Sequence, residues 1–333
     1  MVVGLELVAM GTSIRTAMAS WLCTAILPAA AVFAQAESPD AQHAVLARVG
    51  GEPIYASDVA RLLGTVTGDK QINPAMLPAL RSRLLAQLVD RRLVLSYARR
   101  TNSGASRAEV DAALAELESQ LALRGRSLDE VLRERSIGKA HLLRRLAWDL
   151  TWNKYLRRYV TESRLASYFD AHRREFDGTQ LAVSHILLRP AAGENAAAGA
   201  ALVERAESIR RAIVSGETSF AEAAARHSAG PSRTGGGRLG LISRHGSMEE
   251  AFARAAFALQ VGQISRPVRT RFGVHLIRCD RILPGKKQMP EVRPALEEAL
   301  SRELLGKLAR LERRYTKVEF TAGASCRPTS TDD

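Results

Sequence analysis

The sequence predicts an α+β protein, because two different patterns follow one another along its 333 residues. Residues 45–175 begin with one short hairpin pattern and then carry leucines at helical spacing almost throughout. From residue 181 onward the order becomes strand, two helices, a glycine-rich loop, a helix and two strands, which is typical of a compact α+β domain. A chain of this length is expected to form two domains, or one domain with a helical extension.

The first 36 residues differ from the rest. Soon after Arg15 comes AMASWLCTAILPAAAVFAQA, a charge-poor stretch with the apolar centre and small-residue ending of a secretory signal peptide. Cleavage fits after Ala34 or Ala36, and the apolar part, about 10–12 residues, is shorter than the ~20 needed to span a bilayer. We therefore predict an exported, periplasmic protein without stable membrane insertion after signal removal. A protein anchored by an uncleaved signal is the alternative.

Helix start signals divide the helical half of the chain. Ser57 is expected to cap the helix after the hairpin, and Asn73-Pro74 is expected to open a long helix that ends near Arg100. The other helices of this half, two of them opened by Ser-x-x-Glu capping boxes, are predicted at 107–124, 128–135, 139–158 and 162–175.

The second half is predicted to contain a small sheet. Strands are expected at 181–188, 264–270 and 273–279, and helices at 196–215, 219–227 and 248–258. Beyond it, a helix over 291–315, with Pro294 in its first turn where proline is tolerated, leads to a strand KVEF. The predicted segments are a signal peptide (1–36), a helical domain (37–177), an α+β domain (178–283), a C-terminal helix and strand (284–320) and a disordered tail (321–333).

Composition argues against several classes of function. The 48 Lys and Arg residues exceed the 35 Asp and Glu residues and give a formal net charge of +13. The basic residues are scattered as pairs along predicted helices, without long runs or interleaved aromatic residues, which favours solvated helix faces over a nucleic-acid surface. We predict no nucleic-acid partner. Oligomeric state is left open by the sequence.

The three cysteines do not form a disulfide framework, because Cys23 falls in the predicted signal peptide. Cys279 is expected on a strand and Cys326 in the polar tail, and a bridge between them remains an alternative to two free thiols. No C-x-x-C, H-E-x-x-H or comparable spacing of metal ligands occurs, so we predict no metal.

Two predicted strands each carry a histidine within an apolar run, VSHILL at 183–188 and FGVHLIRC at 272–279. Because side chains alternate along a strand, His185 shares a face with Val183 and Leu187, and His275 shares a face with Ile277 and Cys279. A single histidine on an apolar face is more often a core residue than a catalyst. Both interpretations stay open for each histidine on this evidence.

The segment from Ser184 to Arg281 resembles the parvulin-type peptidyl-prolyl cis-trans isomerases. VSHILL is similar to the opening strand of that family, FAEAAARHS to its short helix and serine, and GGGRLG to its Gly-Gly-x-Leu-Gly turn. SMEEAFARAAFAL resembles the helix that lines the substrate pocket, and GQISRPVRTRFGVHLIRC the closing strand pair. Upstream, ARVGGEPIYASDV resembles the opening of SurA- and PrsA-like exported foldases, in which a helical chaperone module is completed by a C-terminal helix.

This resemblance implies a site and a reaction. His185 and His275 would form an imidazole pair beneath the rotating X-Pro bond, with Thr270 hydrogen-bonded nearby. The apolar pocket for proline would be formed by Leu239, Met248, Phe252, Phe257 and Phe272. For Met248 and Phe252, four residues apart on one helix face, ordinary core packing is the alternative. No cofactor is required because isomerisation cleaves no bond.

One position departs from the family pattern. Two residues after the helix-ending Ser228, where most active members carry Asp or Cys, this chain has Gly230. Loss of one polar contact is worth about 1–3 kcal/mol, or one to two decades of rate. Activity would then be weakened, or the domain would only bind peptides, unless Ser228 or Ser232 substitutes. Arginines 233, 238 and 244 of the surrounding loops suit acidic neighbours of proline, or are simply solvated.

Two functions follow from the sequence. The first is an exported prolyl isomerase that assists the folding of secreted or envelope proteins and whose partners are unfolded or nascent proline-containing polypeptides. The second is a periplasmic holdase chaperone whose parvulin domain binds extended polypeptide without catalysis.

Overall fold

A computed structural model describes residues 44–68, 72–135, 137–189 and 198–321. The predicted signal peptide, most of the predicted tail, Cys23 and Cys326 lie outside these residues. The chain separates into two compact units. One unit comprises Leu165–Leu296, and the other combines the described residues before Leu165 with the described residues after Leu296. No helix in the described ranges has both the length and the apolar composition to cross a bilayer.

The elements follow the predicted order, with one additional strand, Arg238–Ser243, after the glycine-rich loop. The strands are β1 (Val45–Val49), β2 (Glu52–Tyr55), β3 (Gln180–Leu188), β4 (Arg238–Ser243), β5 (Val268–Thr270), β6 (Gly273–Leu283) and β7 (Val318–Phe320). The helices are α1 (Ala56–Thr67), α2 (Leu77–Arg100), α3 (Arg107–Ala122), α4 (Leu128–Glu134), α5 (Lys139–Tyr159), α6 (Glu162–Ala171), α7 (Arg173–Phe176), α8 (Ala198–Val214), α9 (Phe220–His227), α10 (Glu250–Phe257) and α11 (Met289–Glu312). Helices accompany two small sheets whose strand pairings are all antiparallel in the described residues, which confirms the α+β class.

The unit that contains α1 to α5 is built around a three-stranded antiparallel sheet in the order β2-β1-β7. The C-terminal strand β7 pairs with β1, with Ala47 opposite Phe320. Apolar residues of this sheet pack against α1 and α2 in one core that also includes Ala309 of α11. The end of the described chain is therefore part of the same core as its beginning.

Helix α11 is joined to α2 by a buried carboxylate. The side chain of Glu312 is 1% exposed and accepts hydrogen bonds from the guanidinium of Arg100, from Nη2 at 2.7 Å and from Nε at 3.1 Å. The hydroxyl of Thr316 donates to the same carboxylate at 2.9 Å and contacts the hydroxyl of Ser96. Arg100 is only partly buried and lies over the ring of Tyr315.

The second unit is a four-stranded antiparallel sheet in the order β4-β3-β6-β5. Because side chains alternate across the sheet, its two faces form separate cores. On one face Ile186 and Leu276 pack with α8 and α9. On the other face Val183 and Ile277 pack with α10. The sheet is thus covered by helices on both sides, which excludes water from its central strands.

Several predicted boundaries were wrong for identifiable reasons. Ser57 does not cap α1, because the helix begins at Ala56 and the carboxylate of Asp58 accepts the backbone N–H of Tyr55. A short 3₁₀ turn follows Asn73, so α2 begins three residues after Pro74. Pro294 lies inside α11 instead of in its first turn, since that helix begins at Met289.

Two other elements are divided. The helix predicted over 162–175 is interrupted at His172 into α6 and α7. The strand predicted over 264–270 pairs regularly only as β5, and Ile264 forms a single bridge with Arg278. The two predicted serine-glutamate capping boxes are present at the starts of α3 and α4, and a third such box lies at the start of α9. The predicted helix 196–215 is described from Ala198 to Val214.

We expect Glu312→Ala to lower the free energy of unfolding of the full chain by about 2 kcal/mol, because a buried hydrogen-bonded network loses its acceptor while Arg100 can still be hydrated. Urea unfolding followed by circular dichroism measures this change. Glu298→Ala, on a more exposed part of the same helix, is the matched control and should change stability by less than about 0.5 kcal/mol. Equal effects of the two substitutions would contradict the importance of this network.

Candidate functional site

The two histidines lie on adjacent central strands. His185 is on β3 and His275 on β6, and the antiparallel register places Ile277 opposite His185 and Leu187 opposite His275. The histidines are therefore diagonal neighbours on one face of the sheet, a separation that long side chains can bridge. Their Nδ1 atoms are 3.2 Å apart, within hydrogen-bonding distance.

An aromatic ring closes one side of this imidazole pair. Phe252 of α10 meets His185 edge-on with ring centroids 6.0 Å apart, and meets His275 edge-on at 5.3 Å. His185 is 6% exposed and His275 is 5% exposed. The pair is thus a desolvated polar group within an otherwise apolar layer.

The second imidazole is held from the turn between β5 and β6. Thr270 Oγ1 is 2.8 Å from His275 Nε2 and accepts the backbone N–H of Phe272 at 3.1 Å. The turn requires glycine at position 273, where φ is 137° and an added Cβ would lie 2.1 Å from the carbonyl oxygen of Leu188. In the Phe-Gly-x-His pattern, the glycine therefore allows the tight turn, and the turn places Thr270 within hydrogen-bonding distance of His275.

The first imidazole is held from the glycine-rich loop. The backbone N–H of His185 donates to the carbonyl of Gly237 at 2.8 Å. Gly237 has φ of 81°, and a Cβ there would lie 2.4 Å from the carbonyl oxygen of His185. The loop leads directly into strand β4, so its glycines serve a turn and the close approach of two backbone segments.

Burial lowers the pKa of both imidazoles. The pKa of His275 falls to about 4, mainly through desolvation, with additional repulsion from His185 and Arg189. Desolvation also lowers the pKa of His185. Both rings are therefore neutral at pH 7. The short Nδ1–Nδ1 contact requires the Nδ1–H of one ring to donate a hydrogen bond to the unprotonated Nδ1 of the other.

Gly230 lies directly beside the imidazole pair. A Cβ built on Gly230 would be 3.0 Å from His185 Nε2 and 3.3 Å from Ser228 Oγ. His185 Nε2 is buried and has no hydrogen-bond partner. The backbone at Gly230, with φ of −79° and ψ of 153°, is ordinary extended chain that any residue adopts. The position where the family pattern has a polar side chain thus faces an unpartnered imidazole nitrogen.

Ser228 does not contact the histidines through a hydrogen bond. Its buried hydroxyl accepts the backbone N–H groups of Leu187, at 3.1 Å, and Gly230, at 3.1 Å. This arrangement ties the loop after α9 to strand β3. The hydroxyl of Ser232 is buried without a partner.

The predicted apolar residues are divided between core and surface. Phe252 and Phe257 are buried in the core between α10 and the sheet. Leu239 and Met248 are partly buried against that core, and Phe272, in the β5–β6 turn, is 49% exposed. The structure therefore brings together Phe252, the imidazole pair and Thr270, while Phe257 belongs to the interior of the same layer.

Sequence reasoning missed two acidic residues at the start of α10. Glu249 accepts the backbone N–H of Arg271, and Glu250 accepts two hydrogen bonds from Arg244. The available signal was a pair of adjacent acids in an otherwise basic segment. Within the described ranges, no group of three or more His, Cys, Asp and Glu side chains is arranged to hold a metal ion.

Comparisons with known proteins agree with this fold. Residues 185–281 match the PPIC-type PPIase domain model, and residues 10–156 match the SurA-like N-terminal domain model. The chain therefore contains a parvulin-type domain of the PPIC class together with a SurA-like N-terminal domain, which confirms the resemblance predicted from the motifs.

Three relatives illustrate the extent of the similarity. The foldase protein PrsA of Bacillus subtilis is 29% identical over 147 residues, 44% of this chain and 44% of PrsA. Peptidyl-prolyl cis-trans isomerase Pin1 of Arabidopsis thaliana is 47% identical over 78 residues, 23% of this chain and 65% of Pin1. Chaperone SurA of Aromatoleum aromaticum is 26% identical over 293 residues, 85% of this chain and 64% of SurA. The chain spans less than two thirds of the length of each of these relatives.

We expect His275 to stay neutral in the folded protein from pH 8 down to pH 5, because its pKa is about 4. A histidine with a depressed folded pKa favours the folded state above its unfolded pKa of about 6.5, and this contribution is lost as pH falls from that value towards 4. NMR titration of the His275 ring protons measures the midpoint, and the urea-unfolded chain is the control. A folded midpoint above pH 6 would contradict burial of a neutral pair.

Proposed function

We propose that this protein is an exported peptidyl-prolyl cis-trans isomerase that assists the folding of other polypeptides. The observation that carries the proposal is the neutral, buried His185–His275 pair within a domain that matches the PPIC-type isomerase model. The similarity to foldases and chaperones over both halves of the chain supports a role in folding. The signal-like sequence of residues 1–36 supports export to the periplasm.

The proposed mechanism is noncovalent. Rotation about an X-Pro bond crosses a barrier of about 18–20 kcal/mol because amide resonance must be broken. A ten-thousandfold acceleration needs about 5.5 kcal/mol of stabilisation that is stronger for the twisted amide than for the planar one. A desolvated site with fixed hydrogen-bonding groups can supply this difference without a nucleophile.

The residues have separate proposed roles. The imidazole pair lies beneath the rotating bond, and Thr270 fixes the orientation and tautomer of His275 through its hydrogen bond. Proline occupies an apolar pocket whose walls include Leu239, Met248 and Phe272, with Phe252 as its floor; Phe257 supports that floor from the core. Ser228 positions the loop that carries Gly230 and does not act on the substrate.

The proposed domain organisation places the isomerase in residues 178–283. Residues 37–177 form the chaperone-like module, and residues 284–320 complete it, because β7 pairs with β1 and Glu312 is hydrogen-bonded to Arg100. Its proposed clients are unfolded or nascent exported polypeptides that contain proline.

One observation favours the alternative of a holdase that binds proline-containing segments without catalysis. Gly230 offers no side chain to His185 Nε2, so the site lacks one polar contact that a catalyst could use. An NMR exchange assay on a proline-containing peptide with the full chain separates the two functions. Exchange that rises in proportion to protein concentration supports the isomerase, and exchange at the uncatalysed rate at high protein concentration supports the holdase.

In the same assay we expect Thr270→Val to lower kcat/KM about tenfold, because a hydrogen bond to a buried imidazole is worth about 1–1.5 kcal/mol. Thr270→Ser keeps the hydroxyl and is the matched control, expected within about twofold of the unmodified protein. Activity that is retained in Thr270→Val but lost in Thr270→Ser would indicate that the methyl packing of Thr270, and not its hydroxyl, matters.

We expect Gly230→Asp to raise kcat/KM about tenfold, because its carboxylate would give the buried Nε2 of His185 a hydrogen-bond partner. The same substitution should raise the pKa of His185, since a nearby negative charge favours the imidazolium. Gly230→Ala adds the Cβ without the polar group and is the control, with no expected gain. An increase for alanine equal to that for aspartate would contradict this role of polarity.

A further inference from the structure

Arg244, in the loop after β4, is enclosed by carboxylates instead of facing solvent. Its side chain is only 9% exposed. Its Nε donates to Glu175 at 2.9 Å, while Nη1 and Nη2 donate to the two carboxylate oxygens of Glu250 at 2.8 and 2.7 Å. Parallel bonds of this kind from one planar guanidinium fix both the distance and the orientation of the carboxylate.

The carboxylate held by Arg244 belongs to the helix beside the imidazole pair. Glu250 is the first residue of α10, and its hydrogen bonds from Arg244 lower its pKa, so it is ionised at neutral pH. Two residues later, Phe252 contacts both imidazole rings edge-on. Met248, two residues earlier, packs against the same core. Arg244 therefore holds the start of α10, which carries Phe252, the floor of the proposed pocket, and lies next to Met248, part of its wall.

A second carboxylate ties the same point to the other side of the site. Glu249 accepts the backbone N–H of Arg271 at 3.2 Å and forms an ion pair with its guanidinium at 3.8 Å. Arg271 lies in the β5–β6 turn beside Thr270, which contacts His275. The start of α10 is thus attached through Glu250 to the end of β4 and through Glu249 to the turn that orients the imidazole pair.

We infer that Arg244 is a positioning residue of the proline pocket: its bonds to Glu250 and Glu175 hold the start of α10 in the conformation that binds substrate. This inference rests on the proposed isomerase function. The sequence suggested that Arg244 recognises acidic residues next to proline. We assign it a different role, because three of its five N–H groups, one on each guanidinium nitrogen, already donate to carboxylates within the protein.

The physical consequence is a change in binding with little change in chemistry. If α10 is released, only a fraction of the molecules has the binding conformation, and the apparent dissociation constant rises by the inverse of that fraction. Once substrate is bound, the imidazole pair and Thr270 are unaltered, since none of them contacts Arg244. Global destabilisation would act differently, because it would reduce the amount of active protein and hence the apparent kcat at unchanged KM.

The test is to measure kcat and KM of full-length Arg244→Gln for two peptides that differ only in Glu-Pro or Ala-Pro. We expect KM to rise about tenfold for both peptides with kcat within about twofold of the unmodified chain. Arg244→Lys keeps the charge but cannot reproduce the three bonds, so we expect a similar rise. Arg254→Gln, an exposed arginine on α10 itself, is the matched control and should leave both constants unchanged.

Three results would overturn the inference. One is a rise in KM confined to the Glu-Pro peptide and absent in Arg244→Lys, which would show that Arg244 recognises substrate charge. Another is a fall in kcat at unchanged KM, and the third is an effect no larger than that of Arg254→Gln. If the unmodified chain binds the peptides without catalysing exchange, the isomerase proposal fails, and the dissociation constants of the same variants then decide the positioning role.

Discussion

The antiparallel pairing of β3 with β6 is the constraint on which the rest of the site depends. It brings together residues 90 positions apart in the chain, His185 and His275, and leaves their Nδ1 atoms 3.2 Å apart. Helices cover both faces of this sheet, so the imidazoles are removed from water together with their apolar neighbours. Desolvation then keeps them neutral, and a neutral pair can share a hydrogen bond that two imidazolium ions could not.

A polar group in an apolar layer is stable only when its remaining hydrogen-bonding atoms are satisfied. On the His275 side this requirement is met by Thr270, which is itself fixed by the backbone of the β5–β6 turn. On the His185 side it is not met, since Nε2 is buried against Gly230 without a partner. The departure from the family pattern at Gly230 therefore affects one atom, Nε2 of His185.

Much of the fold was predictable because its signals are local. Capping boxes at the starts of α3, α4 and α9 place the helix termini with side-chain bonds that span only three residues. The errors occurred where a distant or competing contact decided the boundary. At α1 the carboxylate of Asp58 is a stronger acceptor than the hydroxyl of Ser57 and moves the helix start to Ala56. At the start of α11 the carboxylate of Glu291 accepts the backbone N–H of Gln288 at 2.7 Å, and the helix begins at Met289, ahead of the boundary that Pro294 suggested.

The sequence by itself determined the class of fold, the order of the elements and which strand face each histidine occupies, because hydrophobic periodicity and capping act within a few residues. Only the tertiary structure decided that the imidazoles touch, that Ser228 bonds to backbone amides, and that Arg244 is buried between two carboxylates. These features depend on contacts between residues that lie up to 90 positions apart. Residues of the same type in similar local sequence can face solvent, a core or a charged partner. Only the three-dimensional packing decides which of these environments a given side chain has.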